Sequence, residues 1–284
     1  MSPLTLRVVS AVVGVPIMLG LTLAGGIPFV LLVLFGAVVG VIEIHGMLVG
    51  AGYRPILPLG IALAGGLVLT TPADLPHGVP ALLALAAVLG LVWMFGRVDE
   101  PGALADWALS LAPAAYVGGL LRFAVPLREM PDGFGLGWLI AALVCTWASD
   151  IAAYFVGRAI GRRKLAPSIS PGKSVEGAVA GLIAAGVAGP LSALLLGAIV
   201  AGLALVGLPA PEVSPAPSIL RLAGLGLAIG LCAPLGDLLE SFVKRQCGAK
   251  DSGNLIPGHG GVLDRIDSLM LAILGAYVYV VATS

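Results

Sequence analysis

Apolar residues dominate this chain in long runs, and the runs have the length that a bilayer demands. Stretches nearly free of charge lie at about 5–24, 28–50, 56–71, 79–95, 103–125, 136–157, 175–207, 218–243 and 267–282, against the ~17–25 residues an α-helix needs to cross the hydrocarbon core. No small-residue cleavage site clearly follows the first run, so it reads as a retained span rather than a signal peptide. The run at 175–207 is too long for one simple crossing. As a straight helix it would extend roughly 48 Å, and Pro190 stands near its middle, so it reads either as one kinked span or as two short segments.

The charges between the runs order them. Cytoplasmic loops of membrane proteins carry an excess of Lys and Arg. With the N-terminus and Arg7 inside, the inner loops hold Arg54, then Arg97, then Arg158, Arg162, Arg163, Lys164 and Lys173, then Lys244, Arg245, Lys250 and Arg265. The outer loops near 25–27, 72–78 and 208–217 hold no Lys or Arg, and Arg128 is the exception. The pattern works only if 175–207 crosses a net odd number of times. It predicts an all-α polytopic integral membrane protein of about nine transmembrane helices with a cytoplasmic N-terminus.

Composition agrees. The chain has 284 residues, of which 59% are hydrophobic and 11% charged, and its mean hydropathy is +1.08, whereas a soluble domain is about 45–50% apolar. Its formal net charge is zero and it has no basic tail, so nucleic acid is not an expected partner. Cys145, Cys232 and Cys247 stand alone without ligand spacing, which argues against a disulfide framework or a zinc site. No fixed-period repeat stands out. The expected division is an N-terminal scaffold bundle over 1–100, a connecting span and loop over 101–135, and a catalytic region over 136–284.

Most of the polar chemistry is crowded into residues 237–267, which hold four aspartates, a glutamate, two lysines, two arginines and a histidine. Asp237, Glu240, Ser241 and Lys244 fall at i, i+3, i+4 and i+7, so they share one face of the helix that carries them. Asp264 and Asp267 are again three apart. Between the two acidic pairs lies a loop with glycines at 248, 253, 258, 260 and 261, a composition that lets backbone N–H groups turn inward around an anion. Carboxylates suit a hard cation, and bases suit phosphate. The alternative is a solvated inner loop whose charges only mark the cytoplasmic side.

The run Ser241-Phe-Val-Lys244-Arg245, then Lys250-Asp251-Ser-Gly253, then Ile256-Pro257-Gly-His259-Gly260-Gly261-Val-Leu-Asp264-Arg265-Ile-Asp267 resembles the signature of the phosphatidate cytidylyltransferases, the CDP-diacylglycerol synthases. A second block, Asp150-Ile-Ala-Ala-Tyr154-Phe-Val-Gly157-Arg158, then Gly161, Lys164-Leu-Ala-Pro and Ser170-Pro171-Gly-Lys173-Ser174-Val-Glu176-Gly177, is similar to another recurrent block of those enzymes. Their block more often has Lys where Gly172 stands and Thr where Ser174 stands.

Three features outside the signature have their own readings. Glu43 and His45, two apart in the second span, do not share a helix face, and each serves either a local hydrogen bond or function. Gly172-Lys173-Ser174 is not the tail of a P-loop, because Pro167 stands where a glycine is needed and the preceding segment does not read as a strand. Ser170 is the expected N-cap and Pro171 the first residue of a helix, which would put Lys173 and Ser174 in a first turn suited to phosphate. His259 reads either as a metal ligand or as a residue holding its loop by hydrogen bonds.

The resemblance implies transfer of the cytidylyl group of CTP to phosphatidate, giving CDP-diacylglycerol and pyrophosphate, at the cytoplasmic face of the inner membrane. The expected catalytic set is Asp237, Lys244, Asp264 and Asp267. Mg2+ would be held by Asp237, Asp264 and Asp267, with Asp150 and Glu240 in support, and the family would suggest a second, monovalent cation such as K+. Ser170, Lys173, Ser174, Lys244, Arg245, Lys250, His259 and Arg265 form the expected CTP- and phosphate-binding set. The family's members also suggest a homodimer. A CTP-dependent lipid or polyprenol kinase and an ion-coupled transporter are the rival readings, and a transporter would place its acids near mid-membrane in paired broken helices. The Asp-Gly-x2-Ala-Arg core of a CDP-alcohol phosphotransferase is missing.

Overall fold

The structure is a computed structural model and describes residues 3–70 and 77–284. Most of the expected outer loop at 72–78 thus lies outside the described residues, as does the side chain of Arg7. In chain order the helices are α1 (Pro3–Ala24), α2 (Gly26–Gly50), α3 (Leu57–Leu69), α4 (Gly78–Met94), α5 (Ala103–Leu121), α6 (Ala124–Arg128), α7 (Gly135–Ile160), α8 (Val175–Leu205), α9 (Ile219–Gln246) and α10 (Leu263–Ala282). Strands β1 (Lys164–Ala166) and β2 (Ser170–Ser174) form an antiparallel hairpin between α7 and α8. Among the described residues, seven helices are long and apolar enough to cross a membrane, and α3 and residues 8–24 are shorter apolar helices. The protein is an all-α polytopic membrane protein with one small hairpin.

The 175–207 run is one helix, α8, with Pro190 inside it. The last helix begins at Leu263, four residues before the apolar run at 267–282, which places Asp264 in its first turn.

The chain divides into two compact units. Unit 1 comprises residues 1–125 and 243–266, and unit 2 residues 126–242 and 267–284. In unit 1, α2, α3 and α5 pack on one another. The buried stripe of α2 is Phe29, Val33, Ala37, Val41, Ile44 and Leu48, at the three- and four-residue spacing of one helix face. On the opposite face Ile27, Leu31, Phe35 and Ile42 remain uncovered by protein, as lipid-facing side chains must be.

In unit 2, α7 lies along α8. The buried positions of α8 are nearly all small, namely Gly177, Gly181, Ala185, Ala188, Gly189 and Ser192. Small residues matter here because helices in a bilayer gain from close van der Waals approach rather than from leaving water. Gly226 of α9 shows how close that approach is, since a β-carbon there would run into the backbone carbonyl of Ala185.

Candidate active site

In unit 2 the polar chemistry gathers where α7, β2, α9 and α10 each contribute a residue. Asp237 and Glu240 stand one turn apart on α9, and Asp267 stands on α10. One carboxylate oxygen from each lies within 4.8 Å of the others. Glu240 is fully buried, while Asp237 and Asp267 are half-buried. The expected polar face of α9 is real, because Ser241 Oγ donates to Asp237 Oδ1 at 3.2 Å one helical turn away.

Two further residues extend this cluster. Lys173 Nζ lies 2.7 Å from Asp237 Oδ2 and donates to the Pro234 carbonyl at 3.2 Å. Asp150 of α7 accepts from Ser268 Oγ at 3.4 Å, and it feels the charges of both Asp237 and Lys173. Four acids and one lysine are therefore gathered here, the lysine paired with Asp237. Carboxylate oxygens this close repel by several kcal/mol per pair at an effective dielectric of about 20, and a hard divalent cation relieves such repulsion. Carboxylate oxygen is a donor type that Mg2+ takes, alongside water and substrate phosphate.

Lys173 reaches this place by a route different from the expected one. Residues 170–174 form no helix start. They are extended in β2, paired with β1 through Lys164–Ser174 and Ala166–Ser170. The cap of α8 is Ser174, whose Oγ accepts from the Gly177 amide at 3.2 Å, and not Ser170. Competition between two serines decides this. The Val175 amide donates to the Arg163 carbonyl at 2.9 Å and Glu176 accepts from the amides of Arg162 and Arg163, which ties the chain before Val175 to the hairpin. The segment before Gly172, which does not read as a strand, thus contains one, although Pro167 still rules out a P-loop.

Unit 1 holds the other half of the signature. There Asp264 makes four contacts with protein. Its Oδ1 accepts from Lys244 Nζ at 2.7 Å, and its Oδ2 from the Ser252 and Gly261 amides at 3.0 and 2.9 Å and from Ser252 Oγ at 2.9 Å. The loop does turn N–H groups around an anion, and the anions are the protein's own carboxylates. Asp264 and Lys244 thus form an ion pair within unit 1, and within unit 2 Glu240 stands beside Asp237 and Asp267.

Of the remaining expected residues, His259, Arg245, Lys250 and Arg265 lie in unit 1 and Ser170 in unit 2. His259 Nδ1 lies 2.7 Å from Ser10 Oγ of α1. It follows a turn closed by the His259 amide on the Ile256 carbonyl at 2.9 Å, with Pro257 and Gly258 (φ 77°) at the corner, the residues that a type II turn requires. Arg245 donates to the Ala249 carbonyl at 3.2 Å. Lys250 and Arg265 are exposed. Ser170 is half-buried in β2.

The cytidylyltransferase family model matches residues 5–283. The chain belongs to that family. Among its relatives, phosphatidate cytidylyltransferases of Brucella suis and of Synechocystis are each 33% identical over 293 and 302 residues. They cover 98% of this chain and 94% and 96% of their own lengths. The phosphatidate cytidylyltransferase of Pseudomonas aeruginosa is 44% identical over 149 residues, 52% of this chain and 48% of its own. Family membership therefore spans both units and both motif blocks.

Proposed function

We propose that this protein transfers the cytidylyl group of CTP to phosphatidate, giving CDP-diacylglycerol and pyrophosphate. Full-length similarity to phosphatidate cytidylyltransferases supports the reaction, and the carboxylate trio Asp237, Glu240 and Asp267 with Lys173 beside it supports the chemistry. The single observation that carries the reading is that trio.

A phosphate oxygen of phosphatidate attacks the α-phosphorus of CTP in line, the new P–O bond forms, and the bond to the β-phosphate oxygen breaks to release pyrophosphate. The nucleophile is already an anion, so no side chain needs to act as a strong base. Catalysis then consists of bringing two highly charged reactants together and stabilising charge on the phosphoryl oxygens. Asp237, Glu240 and Asp267 would hold Mg2+, with Asp150 close by. When bound, Mg2+ would neutralise phosphate charge and orient the triphosphate. Lys173 carries the positive charge nearest Asp237, and its ammonium is available to a phosphate oxygen once the carboxylate turns to a cation. Arg245 and Lys250 are the cations of the signature loop for phosphate. Ser174, Ser170 and Arg265 are less favoured for that task, Ser174 because its hydroxyl caps α8.

The topology we infer is nine spans with the N-terminus inside, counting α1 and α3 with the seven long helices, and the catalytic residues at the cytoplasmic face of the inner membrane. The loop charges support this orientation.

The test is detergent-purified protein with Mg2+, phosphatidate and CTP labelled at either the α- or the γ-phosphate. The expected result is α-label in lipid and γ-label in pyrophosphate. Transfer of γ-label to an added lipid alcohol, with no α-label reaching phosphatidate, would establish a lipid kinase instead.

A further inference from the structure

Glu43 is an acid in the C-terminal half of the apolar helix α2, 9% exposed. A carboxylate so placed persists only when donors satisfy it, and its donors come from more than two hundred residues away. The Val262 amide donates to Oε1 at 2.8 Å and the Leu263 amide to Oε2 at 2.7 Å. These are amides at the start of α10, where a helix has N–H groups with no carbonyl of its own to meet them. Glu43 therefore caps α10 from another helix.

The loop is shaped to this carboxylate. A β-carbon at Gly253 would stand 2.9 Å from Glu43 Oε1, and one at Gly261 would stand 2.6 Å from Oε2. A side chain at either position would therefore displace the Glu43 carboxylate from where it now sits. Ser252 Oγ sits between Glu43 Oε2 at 3.2 Å and Asp264 Oδ2 at 2.9 Å, so its single proton serves one carboxylate at a time. From there Asp264 holds Lys244. One connected set thus runs from Glu43 through Ser252 and Asp264 to Lys244, all within unit 1.

We infer that Glu43 is a positioning residue for cytidylyl transfer, setting the signature loop 252–261 and the first turn of α10 in the register that turnover requires. The inference rests on the proposed reaction. Glu43 touches no reacting group; it acts through the loop backbone and through Ser252 and Asp264.

The geometry makes an unusual demand of substitutions. In Glu43→Gln the shape is kept, but each carboxylate oxygen faces an amide donor, so either orientation of the side-chain amide sets N–H against N–H. Glu43→Asp is one methylene shorter yet keeps two acceptors. A side chain serving only to fill space would favour Gln, and an acceptor would favour Asp.

The experiment compares wild type, Glu43→Gln, Glu43→Asp and Ser252→Ala, purified in detergent, by turnover and by site-resolved amide exchange. We expect Glu43→Gln to lower kcat by at least about tenfold, as loss of positioning does, with KM for CTP changing by less than about threefold. Glu43→Asp should retain more activity than Gln. Exchange at Val262 and Leu263 should quicken in Glu43→Gln and stay slow at residues buried in α2. Glu43→Gln with wild-type kcat, or with unaltered exchange at Val262 and Leu263, would overturn the inference, as would Gln outperforming Asp. If Glu43→Gln does not survive extraction, Glu43→Asp and Ser252→Ala decide: a lowered kcat with near-normal KM in both supports it, and wild-type kcat in both overturns it. A wild type that makes no CDP-diacylglycerol would instead remove the proposed reaction, and the exchange comparison, which needs no substrate, would still judge the role of Glu43.

Discussion

The ammonium of Lys173 lies 2.7 Å from the carboxylate of Asp237, and this pair joins the two motif blocks of the sequence within unit 2. Lys173 comes from the hairpin and Asp237 from α9, where it is half-buried. Their pairing places one positive charge beside a group of four neighbouring acids, Asp150, Asp237, Glu240 and Asp267.

Removing one member of the carboxylate trio should remove a principal electrostatic element. Asp237→Asn, Glu240→Gln and Asp267→Asn are each expected to lower kcat by about a hundredfold or more, in line with losing one preorganised charge-stabilising group. Asp99→Asn, at an exposed position in the loop before α5, should stay within about twofold, since surface changes remote from such features rarely matter. Turnover is measured over a Mg2+ titration. Near-normal rates at saturating Mg2+ in all three trio variants would end the assignment of the trio to a cation.

Part of this cluster is legible in the sequence because it obeys helical arithmetic. Asp237, Glu240 and Ser241 share a face of α9, as their spacing requires, and the contact of Ser241 with Asp237 follows from it. Asp264 and Asp267 do not behave as the equivalent pair that their spacing predicts. Asp264 faces the loop, whose backbone amides at Ser252 and Gly261 claim it. Backbone donors leave no mark in residue types, so this partition could not be read. Glu43 was visible as a costly acid in an apolar run, but its partners lie 219 and 220 residues away, beyond any local pattern. The hairpin was hidden for another reason. Ser170, Pro171 and Gly172 spell a helix start, and pairing with Lys164–Ala166 holds them extended instead.

The cap on α8 gives a separate test of what Ser174 does. Its Oγ accepts from the Gly177 amide and is buried, so Ser174→Ala should destabilise the protein by about 1 kcal/mol, lowering the melting midpoint in detergent by about 2–4 °C for a chain of this size. Ser174→Thr keeps the hydroxyl and should melt close to wild type. A CTP KM raised more than about tenfold in Ser174→Ala, with no change in melting, would show instead that the hydroxyl serves substrate, since such a rise is the loss of uniform binding energy.

Arg54 and Arg97 bring the topology within reach of experiment. Arg97 Nη1 donates to the Arg54 carbonyl at 3.2 Å and Arg97 Nη2 pairs with Asp106 at 2.7 Å, while Asp106 also accepts from the Arg54 amide at 2.8 Å. These contacts lie within unit 1 and return the chain, after α3 and α4, to the end where α3 began. The two helices must then cross the same number of times. At 13 residues α3 is about 20 Å long, short of the roughly 30 Å hydrocarbon core, so it is the doubtful member of the pair, yet α4 at 17 residues is near spanning length and cannot cross alone without separating Arg54 from Arg97. The continuous α8 counts as one crossing in the nine-span order we propose. In a background lacking the native thiols, single cysteines at positions 52, 99, 168 and 254 should label from the cytoplasmic side with a membrane-impermeant maleimide, and one at position 213 from the opposite side. Opposite labelling of positions 52 and 99 would break the α3–α4 pair, and labelling of positions 213 and 254 from one side would require another number of spans.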